Sequence, residues 1–311
     1  MLLGDSAFGI EWPGGAKFAM NYVMLTEGTG KGVHEYTNVS ALAEMCVHDD
    51  AQRVSLERGP GTKFGAIVTG RLFGLGAISI AQRHYKWLAQ WHRRDEDAKI
   101  FLFGFSRGAL VARMLADLIC TCGIPSDAYD ARRVFQWWMN GGYNEAIGAF
   151  RRERRLMPAH VEYLGLWDTV DSAVGIDGAR FRKLPAGVEC ARQAVARDER
   201  RKFFAYEPLE GERAEELVFP GSHSDVGGLY PDNHAMADVT LAWIAAPAVE
   251  RGLRLKSGVT LRDEVSPEEV LLHDSQSDAT NVWGLLPSPQ RALSHLRRHP
   301  LCEAVKAPFK V

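Results

Sequence analysis

The stretch Ile100–Leu115, IFLFGFSRGALVARML, constrains this chain more than any other. An apolar run passes through Gly-Phe-Ser-Arg-Gly and at once becomes amphipathic. Lys99–Phe105 reads as a buried strand and Arg107–Ile119 as a helix that follows with almost no loop. A serine on so tight a strand-to-helix turn is strained, and bulky neighbours two residues away on either side would clash. Gly104 and Gly108 remove that clash, which is the pattern of a nucleophile elbow. The helix behind it aims free N–H groups and a partial positive charge at the serine. Ser106 is therefore a candidate nucleophile, and the N–H of Arg107 a candidate oxyanion donor.

A serine nucleophile needs a base, and the base needs an orienting carboxylate. On an elbow of this kind the chain order is serine, acid, histidine. Asp168 follows the strand-like Val161–Trp167, and His223 follows the short strand Leu217–Phe219 in a loop of small residues. Asp168 and His223 are the preferred partners. Asp225 is the alternative acid, although it lies too near His223 in sequence to face the far side of the ring easily. His160 and His234 are rival bases, while His84 and His92 read as helix-surface residues. A metal set made of His223, Asp225, Asp232 and His234 requires the loop to fold back on itself and is the weaker reading; no metal or cofactor is expected. The turn TEGTGKG after the first strand offers a second oxyanion donor near Gly28 and Thr29. It lacks the lysine-then-hydroxyl ending of a phosphate-binding loop.

Around the elbow, short apolar runs alternate with helical periodicity. Phe18–Leu25 reads as a strand, and Arg71–Arg94, Cys190–Arg201 and Met236–Arg251 read as helices. The expected fold class is α/β: a mostly parallel sheet flanked by helices, α/β-hydrolase-like. The 311 residues read as a single domain with a core over about 18–258, a helical insertion at about 126–158 and a C-terminal extension at 259–311. The insertion is expected over the active-site edge. Its Phe135, Trp137, Trp138, Met139 and Tyr143 suit either a greasy lid with peripheral membrane contact or ordinary core.

Bulk properties exclude several classes. A net charge of −2 gives no general attraction to nucleic acid. Five scattered cysteines (Cys46, Cys120, Cys122, Cys190 and Cys302) argue against a disulfide framework, and Cys120-x-Cys122 has no second pair for a zinc site. The N-terminal residues do not read as a signal peptide, and no run is long enough for a membrane-spanning helix. The expectation is a protein made in the cytoplasm and, if exported, moved by a signal-peptide-independent route.

Six blocks in order carry a family likeness: EGTGK…TNVSAL, GPGT, IFLFGFSRGALVAR, YLGLWDTV, ARQAVARDERRKFF and LVFPGSHSDVGGLYPD, with a weaker echo at LLHDSQSD. From about Tyr22 to Arg251 the chain resembles the catalytic domain of the type VI secretion phospholipase effectors. The resemblance implies a serine hydrolase of ester bonds, with phospholipids the best-studied substrates and a secretion-spike protein and an immunity protein as partners. Carried over by motif, Ser106 matches the nucleophile, Asp168 and His223 the acid and base, and Gly28–Thr29 the early Gly-rich turn. The chain departs from the family's D-G-T-G-N at Glu27 and Lys31, which is expected to alter the mouth of the site. Its brevity leaves little room for a membrane-docking module. The alternatives are an esterase or thioesterase acting on soluble substrates, or a weakly catalytic binding module on the same scaffold.

Overall fold

The computed structural model describes residues 19–28, 36–59, 70–92 (70–75 as backbone only), 95–141, 147–170, 178–202, 204–276 and 291–307. In chain order, β1 (Asn21–Thr26) is followed by α1 (Asn38–Met45), β2 (Gln52–Glu57), α2 (Gly70–Trp91), β3 (Lys99–Phe105) and α3 (Arg107–Cys122). Then come α4 (Ala128–Met139), α5 (Ile147–Glu153), β4 (Tyr163–Trp167), β5 (Ala191–Ala196) and β6 (Ala214–Phe219). The chain continues through α6 (His223–Gly227), α7 (Ala235–Glu250), β7 (Arg297–Arg298) and α8 (Leu301–Ala304).

The strands form one parallel sheet in the order β2-β1-β3-β4-β5-β6-β7. The chain winds outward from β1 to β2, then returns to lay β3 on the other side of β1. Between β1 and β3, therefore, successive loops leave the sheet in opposite directions. The crevice at the C-terminal ends of such a strand pair is where parallel α/β sheets bind ligands.

Alternation along β3 explains why it sits at the centre. Ile100 and Leu102 enter the core beneath α2, α3 and α4, while Phe101, Phe103 and Phe105 enter the core beneath α1 and α7. Both faces are dry, and each phenylalanine contributes about 2 kcal/mol of burial. A strand buried on both sides accounts for the unbroken apolar run in the sequence.

Three local expectations change. Cys190–Arg201 is not a helix: Ala191–Ala196 is β5, an interior strand. Ala, Arg and Gln favour helix in isolation, but here they fill a site between two paired strands, and tertiary context outweighs propensity. Gln193, fully buried, accepts from Arg113 Nη2 at 2.6 Å and from the Thr169 hydroxyl, and its amide donates to Glu207 O at 3.0 Å. His84 does not lie on a helix surface. It is buried in α2, with Nε2 3.1 Å from Thr26 Oγ1 and Nδ1 3.3 Å from Ser55 Oγ, and burial pushes its pKa down to about 4.

The third concerns the insertion. It leaves and re-enters the fold through the Ile124–Met157 bridge, beside the end of α3 farthest from Ser106. Phe135 and Trp138 of α4 are buried in the core shared with α2 and α3, and the Trp138 indole donates to Asp117 Oδ2 at 2.8 Å. Arg151 of α5 donates to the last carbonyls of α3, at Cys120 and Thr121. The described part thus flanks α2 and α3 instead of covering the edge that bears Ser106, because its largest aromatics are committed to the core. Trp137 stacks on Phe150 at 4.0 Å, while Tyr143 lies outside the described residues.

All five cysteines are free, and burial pushes the Cys120 and Cys122 thiols up to about 12. No described helix is long and apolar enough to cross a membrane.

Candidate active site

Ser106 stands between the last residue of β3 and the first of α3. Its backbone lies at φ 60, ψ −126, a conformation that side-chain-bearing residues avoid and that costs about 1–3 kcal/mol. The neighbours make room for it. A Cβ on Gly104 would sit 2.3 Å from the Gly108 carbonyl oxygen, and one on Gly108 would sit 2.2 Å from that of Thr26. The turn is pinned to the next strand, since Ser106 N donates to Trp167 O at 2.9 Å.

Asp168 follows Trp167 at the adjoining strand end, also with positive φ (42°). His223 opens α6, after β6. The ring nitrogen Nδ1 of His223 and Oδ2 of Asp168 are 2.7 Å apart, and both side chains are buried. Phe105, the residue before Ser106, stacks on the imidazole at 4.5 Å, and Phe204 meets it edge-on at 4.9 Å. The ring is therefore held beside the elbow by aromatic surfaces and oriented by one carboxylate. Among the described residues nothing bonds its Nε2, which leaves that edge open.

Burial lowers the pKa of His223, and the hydrogen bond and charge of Asp168 only partly restore it. The imidazole is accordingly neutral at neutral pH, as a proton acceptor must be. For Asp168, burial alone would raise the pKa. The Arg291 guanidinium and the His223 hydrogen bond outweigh it, so the carboxyl stays well below the usual carboxylate range. Arg291 donates from Nη1 to Asp168 Oδ1 at 2.6 Å and from Nη2 to Oδ2 at 3.1 Å, and Ala196 N donates to Oδ1 at 2.9 Å. Glu199, also buried, accepts from His223 N at 3.2 Å, from Ser275 Oγ at 3.0 Å and, through both oxygens, from Nε and Nη2 of Arg201.

Gly28 lies against the serine. A Cβ there would be 3.0 Å from the Phe105 ring and 3.3 Å from Ser106 Cβ, so the backbone after β1 reaches the elbow only because residue 28 has none. Arg107 N is the first amide of α3, directly after Ser106. Burial, helped by the Arg201 charge, pulls the Arg107 guanidinium down to about 10. Thr29 and Lys31 lie outside the described residues. Glu27 is buried and accepts from Thr37 Oγ1 at 2.6 Å, tying the Gly-rich turn to the N-cap of α1.

Asp225, the alternative acid, serves another histidine. It caps α6 by accepting from Ser222 N and Oγ, and its Oδ1 lies 2.7 Å from His273 Nδ1. His273 Nε2 is 3.2 Å from Asp232 Oδ2, so Asp225 and Asp232 flank a histidine the sequence did not single out. No metal-binding cluster is found among the described residues. His160 lies 4.0 Å from Glu162, before β4, and His234 precedes the first turn of α7. Sequence reasoning also missed Arg291, Glu199 and Asn38. The Asn38 amide donates to Val226 O, Ala237 O and Thr240 Oγ1, joining α1 to the helix that carries His223. The block TNVSAL held the only signal for it.

Residues 20–247 match the model of the catalytic domain of the Tle1-like phospholipase effectors of the type VI secretion system. The chain belongs to that family. No curated protein matches it. Among solved structures it is similar to the Tle1 effector bound to the VgrG spike of the type 6 secretion system, at 20% identity and a TM-score of 0.48 over 73% of this chain and 56% of that one. It is also similar to an uncharacterised protein from Pseudomonas aeruginosa, at 17% identity and a TM-score of 0.46 over 76% of this chain and 46% of that one. An acetyl xylan esterase follows at 12% identity and a TM-score of 0.31, with 75% of this chain and 96% of that one covered. The chain thus spans about half the length of the first two.

Proposed function

We propose that this family member is a serine ester hydrolase of the phospholipase kind. Ser106 Oγ attacks the acyl carbonyl carbon while His223 Nε2 takes its proton. Asp168 holds Nδ1–H and stabilises the imidazolium that forms. The N–H groups of Arg107 and Gly28 donate to the oxyanion, Thr29 being the neighbouring donor expected from the motif. The alcohol leaves with the proton from His223. Water, deprotonated by the same ring, then attacks the acyl-enzyme and releases the acid. The observation that carries this reading is the buried 2.7 Å contact between His223 and Asp168 beside a strained serine at a helix N-terminus.

A fluorophosphonate probe tests it. Wild-type protein is expected to be labelled and to hydrolyse short-chain p-nitrophenyl esters, and Ser106→Ala to lose both. A pure, folded wild type that takes up no label would overturn it.

The core position of Phe135 and Trp138 favours a second reading of the substrate, a soluble ester or thioester, because those rings are not available as an acyl-chain platform. Turnover of phospholipid vesicles against water-soluble esters separates the two. Family membership and the spike-bound relative support a secretion-spike protein as partner; an immunity protein, and export without a signal peptide after synthesis in the cytoplasm, complete the proposal. Co-purification with the spike protein and with the product of an adjacent small gene tests this.

A further inference from the structure

The family's catalytic domain is matched over residues 20–247, yet the guanidinium that grips Asp168 comes from residue 291. Its side chain is only 5% exposed, and both terminal nitrogens are engaged. Besides the two bonds to Asp168, Nη1 donates to Ala196 O at 3.0 Å and Nη2 to Phe204 O at 2.6 Å. One planar group thereby ties the acid to the end of β5 and to the loop whose Phe204 ring packs on His223. We propose that Arg291, from the segment C-terminal to the matched domain, is a positioning residue of this site: its guanidinium clamps both oxygens of Asp168 and keeps that carboxylate aimed at His223. The inference rests on the hydrolase reading of Ser106, Asp168 and His223.

The charges around the pair make the consequence specific. Arg291 faces Asp168; Glu199 and Arg201 face His223; Tyr206 feels the Asp168 charge; and Arg107, next to Ser106, feels Arg201. Asp225 is engaged with His273. Within the bonded set, Asp168 and Glu199 are balanced by Arg291 and Arg201, so a proton arriving on His223 adds an uncompensated positive charge. Without Arg291 the same proton would neutralise an excess negative charge. Arg291 therefore makes His223 harder to protonate at rest and keeps it a competent acceptor at lower pH. The clamp also holds the carboxylate's orientation, which a lysine cannot do with one ammonium.

The test uses the full chain as wild type, Arg291→Met, Arg291→Lys and Ser106→Ala. The rate of fluorophosphonate labelling is measured against pH, the low-field proton NMR signal of the His223–Asp168 hydrogen bond is titrated, and thermal melting is recorded. For Arg291→Met the plateau rate is expected to fall about tenfold, and the acid limb and NMR titration to move up by about one pH unit. Arg291→Lys is expected to return the limb to its wild-type position while recovering only part of the rate. A folded Arg291→Met with an unmoved limb and titration would overturn the inference, because a purely structural residue changes melting alone. If Arg291→Met does not fold, Arg291→Lys decides: a lower plateau at an unmoved limb supports the clamp, and wild-type rates throughout refute it. Failure of wild type to label, or labelling of Ser106→Ala, would instead count against the hydrolase reading. The NMR titration would still judge Arg291.

Discussion

Two histidine–aspartate pairs lie close together in this molecule and share one geometry. His223–Asp168 and His273–Asp225 each bring Nδ1 to within 2.7 Å of a carboxylate oxygen. They differ in what occupies the other edge of the ring. Nε2 of His273 meets a second carboxylate, Asp232, and Tyr230 stacks on the ring at 3.6 Å. Both nitrogens are spent, and the pair fastens the C-terminal segment to the loop around α6. Among the described residues nothing meets the other edge of His223, which lies under two aromatic rings. The pKa values follow suit. Burial lowers His223 more than Asp168 restores it, whereas for His273 the two carboxylates overcome burial and raise it. A short histidine–aspartate bond is therefore no signature of catalysis by itself. Among the described residues, it is the unmet edge of His223 that distinguishes the pairs.

Replacing the rings one at a time is the hardest test of that distinction. His223→Ala is expected to lower kcat for ester hydrolysis by about 10⁶-fold, whereas His273→Ala stays within about tenfold of wild type. Comparable losses in steady-state assays would erase the difference. The carboxylates come next. Asp168→Asn should cost about 10⁴-fold in kcat by spoiling the tautomer of His223. Asp225→Asn should instead cost stability, about 1–2 kcal/mol in urea denaturation, through the lost cap and the loosened His273. The smallest effect is a pH dependence. A histidine whose pKa is raised on folding contributes stability that is full below its unfolded value and is lost as pH rises through the folded one. His273→Gln should therefore lower Tm more at pH 6 than at pH 8, read by thermal melts at both. His223, with its pKa lowered, contributes in the opposite sense: stability rises with pH up to the unfolded value.

The elbow was legible in the sequence because everything that makes it is local. Strand, turn glycines and helix are contiguous, and the double burial of β3 shows as an uninterrupted apolar run. Asp168 and His223 were legible because each follows a strand end in the order the fold demands. What escaped is what the tertiary structure brings in from a distance. Arg291 reaches Asp168 across 123 positions, from a stretch with no motif. The residues of β5 favour a helix, and only pairing with β4 and β6 makes them a strand. The aromatic insertion could be core or lid until the Ile124–Met157 bridge placed its entry and exit. His84 escaped because a polar residue at helical spacing looks solvated until Thr26 and Ser55 are found against it.

The backbone of Ser106 has one more consequence. At φ 60, ψ −126 the residue sits where glycine rests without penalty and any other residue is strained. Folding stability alone favours Ser106→Gly, and the proposed nucleophilic role of the hydroxyl favours serine. Selection on this position is thus a contest between two pressures of opposite sign. On the proposed hydrolase reading, a lineage that ceased to need the hydroxyl would gain a sturdier protein by discarding it.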